Sequence, residues 1–334
     1  MNKTCRNAPL LTIAVPTYNR ANYLDLCLSQ ICRQIKGREG EIELIVSNNN
    51  STDDTDDVVR KYMESGAEIK YVKNPENIGA EKNVIQCFDL ARGKYALVFG
   101  DDDVLCDGAL NAVVPLLKDD YGVVYLKTYS YFDDYRAEAP KRKLNARIVY
   151  KNKKAFIRKV NVQFTFISSN IVNKSLIGKD LDTDCCLGSN LPQLAWIFPA
   201  LFKADRNVYL EKYLVAQKAD NTGGYKVCAA FGAGLHRIFG IFRERGISGG
   251  YFNIISTNLL VNFIPSLVLS SKKKADNFQQ EDFLETLVPV YRSNALFWIA
   301  TYPVLVLPRK AGKIWHKTGK FILKMCRLPL RFQT

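Results

Sequence analysis

Short apolar runs alternate with helical segments in the first part of the chain, and this alternation limits the fold more than any other feature. The runs are rich in aliphatic and aromatic residues, which is typical of buried strands. They lie at residues 10–15, 42–46, 69–72 and 95–99, and apolar residues at helical spacing follow at 21–35, 58–62 and 84–91. The pattern predicts an α/β fold with a Rossmann-like, mostly parallel sheet and helices on both faces.

A polar cluster follows each of the four predicted strands. These clusters occupy residues 16–20, 47–54, 74–83 and 101–103. Ligands of such sheets bind at the carboxyl ends of the strands, so the clusters predict one shared cleft. A dinucleotide-binding fold is the competing interpretation. However, no G-x-G-x-x-G follows the first strand and no G-x-x-x-x-G-K-[ST] occurs in the chain.

The fourth cluster consists of Asp101, Asp102 and Asp103, directly after a predicted core strand. Adjacent carboxylates repel one another and resist burial unless a cation or hydrogen-bond donors hold them. Mg²⁺ and Mn²⁺ prefer oxygen ligands and bind carboxylates together with substrate phosphates, so a divalent metal is the simplest partner. A solvated acidic turn is the alternative.

The net charge is +14, which predicts attraction to a membrane surface, a phosphorylated substrate or nucleic acid. Nucleic acid is not an expected partner, because the acidic residues of the predicted cleft would repel a phosphate backbone. The nine cysteines show no C-x-x-C spacing and there are two histidines, so no structural zinc site is expected. Scattered thiols and no recognisable export signal indicate a reducing cytoplasm.

The C-terminal part has a helical pattern, with predicted helices at 229–245, 252–269 and 281–291. Within 310–324, lysines recur at three and four residues, which predicts a basic amphipathic helix that binds the inner membrane surface. A helix docked on the protein with its lysines in water is the alternative. The apolar stretch 295–308 is too short to span a bilayer, so no transmembrane segment is expected.

Four segments overlap the polar clusters that follow the predicted strands, in order: TIAVPTYNR (12–20), SNNNSTDDT (47–55), NIGAEKN (77–83) and FGDDD (99–103). Together they resemble the family 2 glycosyltransferases of the GT-A fold, in the bacterial branch that includes abequosyltransferase-like enzymes. The resemblance covers residues 10–225 and implies a nucleotide-sugar-binding catalytic domain at 1–225. A helical, membrane-associating region at 226–334 would follow.

The resemblance also implies roles for individual residues. The nucleotide-sugar contacts would be Pro16, Thr17 and Tyr18 at the nucleobase, Arg20 in the same motif, Asn49, Lys82 and Asn83 around the base and ribose, and Asp101 at the ribose. Asp102 matches the metal ligand, and Asp103 is a second candidate. Asn49 stands where many members have an aspartate, so UDP, CDP and dTDP all stay open as the donor nucleotide.

The implied reaction is an inverting transfer of a sugar, dependent on Mn²⁺ or Mg²⁺, to a saccharide acceptor. A lipid-linked acceptor in bacterial surface polysaccharide synthesis, such as O-antigen or capsule, is expected, at the cytoplasmic membrane face. Such a transfer needs a general base. The resemblance implies a Glu-Asp pair about 80–90 residues past the acidic cluster, and no such pair stands there. Asp184 is the candidate base, with Asp182 two residues before it. The alternatives are a loop carboxylate that serves only solubility, and a related protein that binds nucleotide sugars without transferring them.

Overall fold

The computed structural model describes residues 8–142, 145–178, 181–219, 224, 226–271 and 281–325. The chain divides into two compact units. The first contains the chain up to residue 156, then 163–185 and 192–220, and the second contains 157–162, 186–191 and the chain from 221 onward. The second unit therefore includes two short segments of the predicted domain 1–225. The predicted two-domain division itself stays a prediction.

One nine-stranded sheet forms the centre of the first unit. Its strands are β1 (Leu11–Thr17), β2 (Ile42–Asn48), β3 (Ile69–Lys73), β4 (Tyr95–Val98), β5 (Val104–Leu105), β6 (Val123–Tyr131), β7 (Arg147–Tyr150), β8 (Asn170–Asn173) and β9 (Asn207–Lys218). Their spatial order is β3-β2-β1-β4-β8-β6-β9-β5, with β7 paired to β9.

The sheet is parallel only in part. β1 to β4 pair in parallel, and so do β6 and β9. β8 is antiparallel to both of its neighbours, and β5 and β7 are antiparallel to β9. The predicted α/β class is thus confirmed, and the antiparallel strands β5, β7 and β8 make the sheet a mixed one. Apolar patterning identifies a buried strand without giving its direction, so these antiparallel pairings could not be predicted.

Helices cover both faces of this sheet. Up to residue 203 they are α1 (Ala21–Ile35), α2 (Thr55–Glu64), α3 (Ala80–Leu90), α4 (Ala109–Val113), α5 (Lys153–Val160) and α6 (Leu194–Lys203). Alternate residues of β1, such as Ile13 and Val15, form a core with Leu24 and Leu28 of α1. On the opposite face α3 packs on β1 and β4, and its Phe88 stacks on Trp196 of α6 with 4.4 Å between ring centroids.

The sequence FTFISSN (164–170) predicts a strand, but most of this segment is not one. It forms helical turns at Asn161–Thr165 and Ile167–Ser169, and the strand β8 starts only at Asn170. The hydroxyl of Ser168 bonds to the backbone N–H of Gly100 and to a carboxylate, as described below, instead of facing solvent from a strand. Short polar side chains of this kind compete with strand pairing by bonding locally.

The second unit is helical. Its helices after residue 226 are α7 (Leu235–Glu244), α8 (Gly249–Asn258), α9 (Ile264–Ser271), α10 (Phe283–Tyr291), α11 (Tyr302–Val306) and α12 (Arg309–Met325), with wider helical turns at Ala229–Gly234, Leu259–Phe263 and Phe297–Thr301. The glycine-containing segment DNTGGYK (220–226) predicts a loop, and it lies almost entirely outside the described residues.

One helix of this unit is long and apolar enough to cross a membrane. α8, the wide turn Leu259–Phe263 and α9 form a continuous helix, Gly249–Ser271, of 23 residues with a mean hydropathy of 1.6. Of its most apolar stretch, 44% is buried inside the protein. No membrane-spanning segment was expected, because polar residues such as Asn253 and Asn262 interrupt the apolar sequence of this helix.

Candidate functional site

The loop after β1 is tied to the loop after β2. Asn19 adopts a left-handed backbone conformation with φ 53°, which asparagine tolerates better than most residues. Its backbone N–H donates to Ser51 Oγ at 2.9 Å, and its side-chain oxygen accepts from the backbone N–H of Thr52 at 2.8 Å. Tyr18, beside it, leaves 43% of its surface exposed, so its ring is free to stack on a flat ligand. Thr17 is buried at the end of β1, next to Pro16.

Arg20 joins this first loop to the acidic cluster. Its Nη1 donates to Asp101 Oδ1 at 3.2 Å and to Asp102 Oδ2 at 3.4 Å. The Asp101 side chain is almost fully buried, whereas that of Asp102 keeps 20% of its surface exposed. Burial and the neighbouring charge of Asp102 raise the pKa of Asp101 to about 6, although the ion pair with Arg20 opposes the shift. The guanidinium therefore holds together two carboxylates that would otherwise repel.

Asp103 points into the protein instead. It is buried, accepts a hydrogen bond from Ser168 Oγ at 2.5 Å, and accepts another from the backbone N–H of Lys218 at 3.3 Å. Burial and the adjacent Asp102 raise its pKa well above the usual range of an aspartate. Ser168 also accepts from the backbone N–H of Gly100 at 2.9 Å. In this structure Asp103 links the acidic loop to β9, and its predicted role as a metal ligand stays a prediction.

Asn49 lies in a buried network of amides beneath the cleft. Its backbone N–H donates to Thr17 O, and its Oδ1 accepts from Ile78 N and from Asn74 Nδ2, each at 3.0 Å. Its Nδ2 donates to Asn77 Oδ1 at 2.7 Å. A backbone N–H can only donate, so the contact with Ile78 establishes which amide atom is the oxygen. One N–H of Asn49 is left over, and it suits an acceptor atom on a nucleobase.

We expect Asn49→Asp to destabilise the protein by about 1–3 kcal/mol. The new carboxylate oxygen would face Asn77 Oδ1, and Asn77 cannot turn its amide because the same oxygen accepts from Gly79 N. Urea unfolding would measure the loss. Asn253→Asp is the matched control, because the Asn253 side chain is exposed and makes no hydrogen bond to the described residues. Equal stability of the two variants would show that the amide network is not as described.

Asn83 and Lys82 stand at the start of α3 in different surroundings. Asn83 is buried; its Oδ1 accepts from Ser47 Oγ at 2.7 Å and its Nδ2 donates to Ser47 O at 3.0 Å. Asn83 therefore connects α3 to β2. A contact with a nucleotide-sugar donor would require Asn83 to give up its hydrogen bonds to Ser47. Lys82 is exposed and lines a cleft along α3. The donor contacts of both residues stay predictions.

Asp184 is not grouped with the acidic loop. It lines the cleft along α3 with Lys82 and Asp89, and it contributes to raising the pKa of Asp89, although burial of Asp89 is the larger cause. Lys82 lies in the first turn of α3 and Asp89 in its last turn, so the two lie about 10 Å apart along the helix axis. Among the described residues, Asp184 has no ion pair or hydrogen bond with Arg20, Asp101 or Asp102. Its role as the base stays a prediction without geometric support.

The acidic cluster fits a divalent metal to a limited extent. Asp101 Oδ2 and Thr17 Oγ1 are both buried, and the Thr17 hydroxyl helps to keep the Asp101 carboxylate charged by lowering its pKa. The carboxylate oxygens of Asp101 and of the more accessible Asp102 are ligands that Mg²⁺ and Mn²⁺ accept. In the described part of the chain, no three His, Cys, Asp or Glu side chains converge as a metal cage. A metal held here would need ligand oxygens from a bound phosphate as well.

Ser168 and Asp53 support the site and were missed by the sequence interpretation. Asp53 Oδ2 accepts from Ala21 N, the first residue of α1, at 2.9 Å, and Oδ1 accepts from Thr55 N, the first residue of α2, at 3.2 Å. Neither helix has a side-chain cap at its own preceding residue, so one carboxylate caps both. The D-D-x sequence after β2 was a usable signal for a cap, whereas no pattern singles out Ser168.

Asp53→Ala should destabilise the protein by about 1–2 kcal/mol, because two helix starts lose an acceptor. Burial opposes ionisation of Asp53, but hydrogen bonds from Thr55 and Ala21 outweigh it and lower its pKa. This stabilising contribution is therefore present above the unfolded pKa and is lost as the pH falls through the lowered one. Thermal unfolding of Asp54→Ala provides the control, because Asp54 precedes α2 without capping it. An Asp53→Ala loss no larger than the Asp54→Ala loss would contradict the shared cap.

The fold is the GT-A-like fold of glycosyltransferases. The structure of TarS from S. aureus superposes with a TM-score of 0.62 at 18% identity, covering 93% of this chain and 55% of that chain. TarS residues 1–349 with UDP-GlcNAc superpose with a TM-score of 0.58 at 17% identity, covering 95% and 92% of the two chains.

A model of the family described as glycosyl transferase family 2 matches residues 12–181, about half of the chain. The chain belongs to glycosyl transferase family 2, and the membership expected from its motifs is confirmed. Abequosyltransferase RfbV of Salmonella typhimurium is 34% identical over 118 residues, 35% of each chain. The GalNAc(5)-diNAcBac-PP-undecaprenol beta-1,3-glucosyltransferase of Campylobacter jejuni is 33% identical over 118 residues, 35% of this chain and 37% of the relative. The match thus spans about a third of the length of these relatives.

Proposed function

We propose that the protein is an inverting glycosyltransferase that moves a sugar from a nucleotide-diphosphate donor to a saccharide acceptor, with Mn²⁺ or Mg²⁺ bound. One observation carries the proposal: loops from the carboxyl ends of β1 and β4 meet through the ion pairs of Arg20 with Asp101 and Asp102. That edge of the sheet also carries Tyr18 and Asn49. The relatives named as glycosyltransferases support the same activity.

Each of the site's side chains would contact a different part of the nucleotide-sugar donor. The exposed ring of Tyr18 would stack on the nucleobase, and the spare N–H of Asn49 would donate to it. UDP, CDP and dTDP all present a base acceptor for such a donor. Asp101 would accept from a ribose hydroxyl. Arg20, paired to both carboxylates, would limit their negative charge where a diphosphate must approach.

Asp102 and Asp101 would hold the metal through their carboxylate oxygens. When bound, a divalent cation stabilises the negative charge that develops on the departing nucleoside diphosphate. The acceptor hydroxyl must also lose a proton, and Asp184 is the proposed base. Asp184 lies in the cleft along α3, together with Lys82 and Asp89.

The alternative function is binding of nucleotide sugars without transfer. The missing Glu-Asp pair and the position of Asp184 favour it. Turnover separates the two: UDP-, CDP- and dTDP-sugars are incubated with the protein, with and without Mn²⁺, and release of the nucleoside diphosphate is measured. A transferase hydrolyses its donor slowly even without an acceptor, and we expect metal-dependent release from one of the three. Binding without any release would favour the alternative.

We further propose that the acceptor is lipid-linked, as part of bacterial surface polysaccharide synthesis, and that the protein acts on the cytoplasmic face of the membrane. The name of the Campylobacter relative includes a lipid diphosphate, which supports the acceptor class. On α12, Ile314 and Phe321 expose 68% and 63% of their surface. Helical geometry places them on the same side as Lys310 and Lys317, as expected for a helix that lies in an anionic bilayer surface.

A vesicle experiment tests the membrane proposal. The protein is sedimented with two kinds of vesicle. One kind contains phosphatidylcholine alone, and in the other about a third of the lipid is anionic phosphatidylglycerol. Binding only to the anionic vesicles, weakened by salt and by Ile314→Ser with Phe321→Ser, is expected. Arg60→Ser, a substitution at an exposed residue of α2, is the control. Equal recovery with and without vesicles would contradict a membrane surface as partner.

A further inference from the structure

A second pocket lies beyond the acidic loop in the first unit, and neither the motifs nor the family assign it. Its volume is about 540 Å³, within the range of small-molecule sites. We call it the tyrosine pocket. Its walls include three tyrosines and three cations, namely Tyr129, Tyr135, Tyr213, Arg136, Arg142 and Lys212.

The tyrosines form a braced aromatic wall. The rings of Tyr129 and Tyr213 meet edge to face with 5.8 Å between centroids, and Tyr129 OH donates to Tyr135 O. Lys127 Nζ lies 4.5 Å from the centroid of the Tyr213 ring, and Arg136 lies 4.6 Å from that of Tyr135. In the irregular pairing of β6 with β9, Tyr213 lies opposite Lys127 and Tyr129 lies opposite Ala216. Rings held in this way lose little freedom when a ligand packs on them.

The pocket has excess positive charge. Its carboxylate, Asp107, is paired with Arg33 and, at 3.6 Å, with Arg136. Arg142 and Lys212 have no ion pair or hydrogen bond with any residue that the structure describes. Two cations without a protein partner beside aromatic rings suit a ligand that has both an anionic group and an apolar face.

The tyrosine pocket is joined to the acidic loop by a short segment. β5 is the connection: Asp103 precedes it and Cys106, a residue of the pocket wall, follows it. Three residues of extended chain cover about 10 Å. Tyr131 OH donates to Asp102 O at 3.4 Å, and the N–H of Lys218 donates to Asp103 at 3.3 Å. The strands β6 and β9 therefore contact the acidic loop and also contribute residues to the pocket wall.

We propose that the tyrosine pocket binds a negatively charged saccharide unit of the acceptor, with its carboxylate or phosphate on Arg142 and Lys212 and its ring face on Tyr213. A pyranose has an apolar face of C–H groups that packs on a tyrosine ring, while the separation of about 10 Å leaves room for further sugar between the pocket and the acidic loop. This inference rests on the proposed transferase function only in naming the ligand as acceptor.

Binding of defined saccharides tests the proposal. Trigalacturonate, glucose 1-phosphate and neutral maltotriose are titrated into the full chain and followed by saturation-transfer NMR and calorimetry. We expect at least one of the two anionic probes to bind about tenfold or more tightly than maltotriose, and the affinity to fall with added salt. The stronger anionic probe identifies a carboxylate or a phosphate as the recognised group. Equal binding of maltotriose, or no binding of any probe, would overturn the proposal.

Variants locate the bound saccharide. Arg142→Ala with Lys212→Ala, and separately Tyr213→Ala, should each weaken the anionic probe about tenfold or more, whereas Tyr213→Phe keeps the ring and should bind normally. Lys118→Ala, at an exposed lysine outside the pocket, is the charge control. Unchanged affinity in the first two variants would overturn the site.

Binding of UDP with Mn²⁺, measured on the same samples, separates the two proposals. Loss of saccharide binding with intact UDP binding is expected for the pocket variants. If the parent protein binds the saccharide but neither UDP, CDP nor dTDP, the donor proposal fails and the tyrosine pocket stands. Displacement of the saccharide by UDP would place it in the donor cleft and overturn the inference.

Discussion

Asp102→Asn should lower the rate of sugar transfer by about 10²–10³-fold, equivalent to about 3–4 kcal/mol of transition-state stabilisation. Asp102 is the most accessible carboxylate with an ion pair to Arg20, and it would supply a charged oxygen to the metal. The amide keeps its size, and Arg20 keeps its contact with Asp101, so the fold should persist. Initial rates at saturating donor and Mn²⁺ give the measurement.

The control for this prediction is Asp205→Asn, because Asp205 is an exposed carboxylate outside the site. It should leave the transfer rate within about twofold of the parent, since a surface substitution of this kind changes little. Parent-like rates in Asp102→Asn at the same saturating donor and Mn²⁺ would remove Asp102 from the mechanism.

Arg20→Ala should destabilise the protein by about 3 kcal/mol at pH 8, the lower end of the cost of breaking a buried ion pair. The effect should depend on pH. The raised pKa of Asp101, about 6, means that the folded state holds a proton more tightly than the unfolded chain, so ionisation of Asp101 reduces stability as the pH rises. Removing Arg20 raises that pKa further, and the extra loss continues above pH 6.

Urea unfolding at pH 5 and pH 8 measures the effect of Arg20→Ala, which we expect to be below about 1 kcal/mol at pH 5 because Asp101 is then protonated. Arg20→Ala combined with Asp101→Asn provides the decisive comparison, since no buried carboxylate is left without its partner. The double variant should regain most of the stability lost at pH 8. An equal loss at both pH values, or no recovery in the double variant, would contradict the buried ion pair.

The N-terminal strands and helices were predictable because the strands are buried and consist of uninterrupted runs of mostly apolar residues. β1 and β2 begin within a residue of the predicted runs, and α1 matches the predicted 21–35. β9 was missed, although it is the longest strand described, because polar residues such as Glu211 and Lys212 interrupt its apolar pattern. Its place between β6 and β5 depends on contacts distant in sequence, which no local pattern contains.

The loops that form the candidate site were predictable from the sequence. The burial and hydrogen-bond partners of each side chain were not. Sequence order identified Asp101, Asp102 and Asp103 as one cluster, yet only the structure separates the accessible Asp102 from the inward-facing Asp103. Asn49 likewise was located correctly at the edge of the sheet. Its three amide hydrogen bonds involve a loop about 25 residues later, so its remaining hydrogen-bonding capacity was hidden.

The central claim is that the acidic loop beside Tyr18 and Arg20 forms a metal-assisted site for a nucleoside diphosphate. Calorimetric titration of UDP, CDP and dTDP into the parent protein and Asp102→Ala, each with Mn²⁺ or with EDTA, tests it most directly. The account predicts that one nucleotide binds the parent about tenfold or more tightly with Mn²⁺ than with EDTA, and that Asp102→Ala removes this difference. A nucleotide affinity that is the same with Mn²⁺ and with EDTA, and the same in the parent and in Asp102→Ala, would contradict it.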